Sequence, residues 1–271
     1  MNPKKSSYCC LLDTNSQNVF NTFKPQEIPM IKLPTETQDP VFDIDHISMV
    51  IYGQPKIGKS TFCSRFENAL FMATEPGLNY LKTKNVRVND WAEACELVDV
   101  LAKTEHPYKT LIVDTVDQLW AFCTECVRKS RKVESLVDIP YGKGKDLATT
   151  AFSDLIARIV RLNMGMVFVS HAQMADVETV NGKLGKFLPT IPDKARQVIL
   201  PLVDVIGFAT SEVTYTPDGE RVEKRYLRVA PSSLWEAGDR SARLKDPLPL
   251  NFHIFKRQYL GEQPENTQAQ A

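Results

Sequence analysis

Apolar positions along this 271-residue chain follow two alternating rhythms. Short continuous apolar runs, rich in β-branched and aromatic side chains, predict strands buried on both faces near 47–52, 69–73, 110–114, 165–170 and 203–209. Between them, apolar residues recur every three to four positions, which predicts helices near 59–67, 90–103, 115–131 and 147–163. In the second of these, Trp91, Ala94, Leu97, Val98 and Leu101 fall on one helical face. Strands alternating with helices predict an α/β fold, a mostly parallel sheet flanked by helices. Past the fifth strand the pattern becomes alternating on either side of Pro217-Asp218-Gly219, the mark of an appended C-terminal antiparallel hairpin. Such a hairpin can extend the same sheet, so residues 43–260 are expected to form one domain. Residues 1–42 are rich in Ser, Asn, Gln, Thr and Pro without sustained periodicity and predict a flexible leader; the polar stretch 261–271 predicts a disordered tail.

Composition narrows the classes. With 33 basic and 33 acidic residues the net charge is zero, so any site for a polyanion must be a local patch. No run of about 18 apolar residues and no secretory leader pattern is visible, which leads to the expectation of a cytoplasmic protein with no membrane partner. The six cysteines are scattered, as reduced thiols are. Cys123-x-x-Cys126 lies on a helical pattern, and the four histidines supply no matching zinc pair, so it reads as part of a buried helix face.

The chemistry is concentrated in Gly53-Gln54-Pro55-Lys56-Ile57-Gly58-Lys59-Ser60-Thr61. This is the spacing of a phosphate-binding P-loop, between a predicted strand and a predicted helix. Gly53 and Gly58 lack a Cβ, so the backbone can turn its N–H groups toward phosphate oxygens. Lys59 offers an ammonium to the β- and γ-phosphates and Ser60 a hydroxyl to Mg²⁺, while Thr61 opens a helix whose positive end faces the same phosphates. ATP and Mg²⁺ are therefore the expected ligands. Asp114, ending the strand Thr110-Leu111-Ile112-Val113-Asp114, is the expected second Mg²⁺ residue; either it or Thr115 can also cap the next helix. Hydrolysis further needs a group that activates water. Thr115 stands where many ATPases carry a glutamate, but Glu75 follows the second predicted strand, at the sheet edge where ligands bind in open α/β folds.

Glu75, Asp114-Thr115 and Val167-Phe168-Val169-Ser170-His171, each ending a strand, together resemble the RecA-like recombinase ATPase core. More narrowly, the P-loop, Tyr141-Gly142-Lys143-Gly144, Ser170-His171 and Trp235-Glu236-Ala237-Gly238-Asp239-Arg240 resemble phage-encoded RecA-like ATP-binding proteins, some of them implicated in single-strand annealing. The similarity runs over about residues 45 to 245. It implies that Glu75 is the catalytic base, assisted by Lys59, and that Ser170 or His171 senses the γ-phosphate. It also implies single-stranded DNA as a partner, with a single-strand-binding protein and further copies of the chain as others. The segment Ala172 to Asp193 reads as a long loop. In the resembling proteins the matching loop contacts DNA, so Lys183 and Lys186 are expected to meet phosphates and Phe187 to stack on a base. Lys143 and Lys145 form a second basic candidate. Arg240 and Arg243 are expected to reach a neighbouring subunit's γ-phosphate. Two other readings of the P-loop stand beside the ATPase: a non-hydrolysing, ATP-gated DNA-binding or assembly module, and a nucleotide kinase. For the kinase, Pro140 to Leu147 supplies lysines and glycines where a lid needs arginines.

Overall fold

A computed structural model describes residues 33–179 and 182–262. Contacts within the chain divide it between Val41 and Phe42. Residues 33–41 contain no helix or strand; the rest of the expected leader, 1–32, and the tail beyond 262 lie outside the described residues, as do 180 and 181.

From Phe42 onward the chain folds around one mixed sheet. Its strands are β1 (Ser48–Gly53), β2 (Ala69–Ala73), β3 (Asn85–Arg87), β4 (Thr110–Asp114), β5 (Gly165–Thr179), β6 (Gly182–Pro189), β7 (Val205–Tyr215), β8 (Arg221–Arg228), β9 (Gly238–Asp239) and β10 (Leu248–Pro249). They are laid out as β10-β8-β7-β1-β5-β4-β2-β3, with β6 paired to β5 and β9 to β7. From β7 to β3 every pairing on this path is parallel, whereas β8, β10, β6 and β9 pair antiparallel. The central strands are buried on both faces, which accounts for their uninterrupted apolar runs. Val50, Tyr52, Leu111, Val113 and Phe168 pack on one side, against α2 (Trp91–Lys103), α3 (Val116–Arg131) and α4 (Lys143–Val160). Met49, Ile51, Ile112, Val167 and Val169 pack on the other, against α1 (Lys59–Cys63) and α6 (Phe252–Leu260). A short α5 (Asp193–Ile199) follows β6.

Three elements depart from the pattern read in the sequence. The helix expected over 59–67 stops at Cys63, because the N–H groups of Arg65 and Phe66 bond three residues back to Phe62 and Cys63 and tighten the chain into a turn. Segment 172–193 is not a loop. β5 runs on past His171 and returns as β6, paired in register from Ala172–Pro189 to Thr179–Gly182, and the Thr190 N–H closes the base on the His171 carbonyl. Glycines and charges in that stretch hid an alternation that only pairing makes regular. The predicted strand 203–209 likewise continues to Tyr215 and is itself the first arm of the C-terminal hairpin. The short edge pieces β3, β9 and β10, together with α5 and α6, had no recognised signal, although Asn251 and Gly261 are the N- and C-caps of α6.

Candidate nucleotide site

Register brings the candidate residues to one edge. Gly53 at the end of β1 lies opposite His171 on β5 and Ala209 on β7, while Asp114 lies opposite Val169 on β5 and Ala73 on β2. β5 therefore stands between the P-loop strand and the Asp114 strand, and its Ser170-His171 sits between the two. The first glycine of the loop has a packing reason as well as a conformational one: a Cβ on Gly53 would lie 2.4 Å from the Ala209 carbonyl oxygen. Lys56 (φ 65°) and Gly58 (φ 114°) take the left-handed turns that curl the loop. Inside that curl, the buried Lys59 Nζ donates to the carbonyls of Gly53 at 2.8 Å and Gln54 at 3.0 Å. An ammonium has three N–H donors, so one remains for a phosphate oxygen.

Buried charge is gathered around this lysine. Burial lowers the Lys59 pKa, and the nearby Asp114, Asp117 and Glu75 carboxylates oppose that shift. Asp114 is pushed upward by burial, against a hydrogen bond from Ser60 and the pull of Lys59. Its hydroxyl partner gives a pair of hard oxygen donors, the kind of set that Mg²⁺ takes together with substrate phosphates rather than in an all-protein cage. Among the described residues no group of three or more His, Cys, Asp or Glu side chains forms such a cage. The pair, the curled loop and the remaining donor of Lys59 fit a metal-bound triphosphate.

Glu75 is held by one side chain and neighboured by a second. The Thr115 hydroxyl donates to its Oε1 at 2.6 Å, and His171 Nε2 lies 3.7 Å from its Oε2. Thr115 is itself fixed by Thr74, whose hydroxyl accepts from the Thr115 N–H at 2.7 Å and donates to the Thr115 carbonyl at 2.8 Å. It also caps α3, accepting from the Gln118 N–H. The residue that stands in place of an adjacent glutamate is thus the one that orients Glu75. Asp117 was passed over in the sequence and does comparable work. It accepts from the Ser170 hydroxyl at 3.0 Å and the His171 N–H at 3.1 Å, and burial raises its pKa. His171 Nδ1 is buried with no hydrogen-bond partner among the described residues.

Other candidates are placed elsewhere. Phe187 is half-buried and stacks on Phe208 at 5.2 Å between ring centres, and its backbone bonds Leu234 and Glu236; it is packing, not an exposed base platform. Lys186 is engaged with Glu236 at 2.7 Å. Lys183 is exposed near the hairpin tip, 3.7 Å from an equally exposed Glu178. Lys143 and Lys145 are exposed at the start of α4, beside an exposed Tyr141 whose ring centre is 5.7 Å from Lys143 Nζ. Arg240 bonds the Pro201 carbonyl and pairs with Asp204, and Arg243 lies 3.2 Å from the ring centre of Phe42 and bonds the Tyr259 carbonyl. Both guanidinium groups have partners within their own chain, and Arg240 is still largely exposed. Cys123 is buried and its thiol donates to the Ala148 carbonyl, in keeping with a helix face.

A family model described as AAA domain (AAA_24) matches residues 45–241, the span that builds this edge. The chain belongs to that family. It is an AAA-type P-loop protein, and nucleotide binding is the property that goes with the domain. A curated relative, an uncharacterized protein derived from the SPbeta prophage of Bacillus subtilis (strain 168), YorG, is 26% identical over 163 residues, 58% of this chain. The aligned part is 47% of that relative, so the chain spans about half its length. Among the described residues no helix is long and apolar enough to cross a membrane.

Proposed function

We propose that this AAA-family chain is a RecA-like, Mg²⁺-dependent ATPase that acts on single-stranded DNA in phage recombination or repair. The observation that carries the catalytic part is Glu75, hydrogen-bonded by Thr115 and neighboured by His171 beside the buried Lys59 and Asp114. A carboxylate held at its own strand end by the Thr115 hydroxyl on one oxygen, with His171 near the other, is oriented before any water arrives. Lys59 keeps the loop curled through two carbonyls and turns its third donor to the β- and γ-phosphates. Ser60 and Asp114 would hold Mg²⁺, and its charge would offset that of the phosphate oxygens. Glu75 then accepts the proton of the attacking water. Ser170 and His171, fixed through Asp117, stand where a change at the γ-phosphate can be felt and where β5 departs toward the hairpin.

The DNA part rests on surface chemistry. Lys194 on α5 lies 3.8 Å from Asp146 on α4, so the amino ends of these helices are neighbours at the base of the β5–β6 hairpin. Tyr141, Lys143 and Lys145 at the start of α4, with Lys183 farther out on the hairpin, offer a stacking ring and cations for backbone phosphates. Steady-state ATP turnover with and without single-stranded DNA tests the reading. Glu75→Gln should lower turnover about 100-fold or more while ATP still binds, and Lys59→Ala should lose binding. DNA should stimulate the wild type. Absence of turnover in the wild type under both conditions would sink the enzyme and leave an ATP-gated binding module.

A further inference from the structure

The sheet ends at β3, whose only strand partner among the described residues is β2. All of β3 is exposed, Val86 at 40%. On the β2 side, the Phe71 N–H bonds the Lys84 carbonyl and the Val88 N–H bonds the Ala73 carbonyl. Backbone groups along a strand face alternately inward and outward, so Val86 faces β2 with Lys84 and Val88, and the N–H and C=O groups of Asn85 and Arg87 point off the edge of the sheet.

A groove of about 320 Å³ runs between this edge and α2. Val86, Val88, Leu97 and Val100 line it, and Val100 is 47% exposed. The charge beside the groove is sorted along its length. Glu93 accepts from the Asn89 N–H at 2.7 Å, which ties the first turn of α2 to the end of β3. From there Glu93, Glu96, Val100 and Lys103 recur at three- and four-residue spacing and share one helical stripe, acidic in its first half and basic at its far end. Lys103 has a loose partner in its own chain, the exposed Asp99 at 3.9 Å.

We propose that this edge is the contact of a twofold dimer, in which β3 of one copy pairs antiparallel with β3 of a second copy about Val86. Backbone geometry and charge both select a second copy over an extended segment of another protein. A twofold axis makes the paired strands antiparallel, and about Val86 it sets each Asn85 opposite the partner's Arg87. These are the residues whose polar groups point outward, so each such pair exchanges both of its N–H···O=C bonds, and the two Val86 side chains meet at the close position between them. The same axis lays the two α2 helices antiparallel, acidic half against basic end. A stripe of that kind is complementary to its own inverse, as a contact between identical surfaces requires. A stable interface needs about 1,200 Å² or more in total, which β3 does not supply alone; Leu97 and Val100 of both helices close over one another and add the rest. β2, β4 and β5 separate β3 from β1, so the contact leaves the P-loop uncovered and does not rest on the ATPase reading.

Sedimentation equilibrium of the full chain without nucleotide tests the contact. The wild type should show twice the mass of one chain. Arg87→Pro removes an outward N–H and spares the bonds to β2, and should weaken the dimer about tenfold or more, as should Val100→Asp. Lys103→Glu should weaken it about threefold, and adding Glu96→Lys should restore it. After treatment of Val86→Cys with oxidised glutathione, peptide mapping should find residue 86 disulfide-bonded to residue 86 of another chain. A wild type still monomeric at about 100 µM overturns the proposal and leaves the edge to a different occupant. An oligomer that Arg87→Pro, Val100→Asp and Lys103→Glu all leave unchanged, with native circular dichroism, overturns it as well and moves self-association to another face. Neither result touches the nucleotide site, because no nucleotide is present.

Discussion

Asp114 sits in a place that disfavours charge. Burial raises its pKa, so the folded chain holds the Asp114 proton to higher pH than the unfolded chain does. Between the unfolded value, about 3.9, and the raised folded one, the folded state binds more protons, and stability falls as pH rises. Above the folded value the whole penalty stands. Asp114→Asn should therefore raise the thermal midpoint of the nucleotide-free protein at neutral pH, with a gain that shrinks as pH is lowered toward 4. The same variant should lose the Mg²⁺ dependence of nucleotide binding. A midpoint lowered at pH 7 would show that the Ser60 and Lys59 contacts outweigh burial. The sequence made Asp114 visible because it closes an apolar strand, and it showed Thr115 as a possible helix cap and as a missing glutamate, not as a partner of Glu75. Its hydroxyl contact with Glu75 joins residues 40 positions apart. No local pattern carries that information.

At the scale of elements, the β5–β6 hairpin is where the expectation and the fold part most. Reading 172–193 as a loop made Phe187 a stacking surface; pairing with β5 turns its ring onto Phe208, which also stacks on Tyr52. Tyr52 bonds the Phe187 carbonyl at 3.0 Å and the Glu236 carbonyl at 2.7 Å, so the strand leading into the P-loop is fastened to the root of the hairpin. Phe187→Ala should lower unfolding free energy by about 1–3 kcal/mol in denaturant titration, less than a fully buried ring would cost. Lys183→Ala, at an exposed position, should change it by less than about 0.5 kcal/mol. If Phe187→Ala left stability untouched and removed only DNA binding, the packing role given to this ring would be wrong. The parallel core was legible because its strands are buried on both faces and read as apolar blocks. The edges were not, since β3 spans three residues and β9 and β10 two each.

For the whole molecule, the strand order decides what the P-loop can touch. β5 on one side brings Ser170, His171 and, beyond it, Asp114 and Glu75; β7 and β8 on the other bring Arg225. The Arg225 contact with Ile57 spans 168 residues, which is why it had no trace in the sequence. A ligand that fastens to this edge stabilises the folded chain by mass action, so ATP with Mg²⁺ at 100 times its dissociation constant should add about 2.7 kcal/mol, read as a raised thermal midpoint. Lys59→Ala should show no such rise. The close approach of Gly53 to the Ala209 carbonyl changes how glycine replacements in this loop are to be interpreted. In Gly53→Ala the added methyl meets the neighbouring strand before it meets any phosphate, so the damage begins as a wedge between β1 and β7. A Gly53→Ala protein that fails to hold nucleotide would be reporting on the seam of the sheet, and only the glycine at 58 tests the curl of the loop itself.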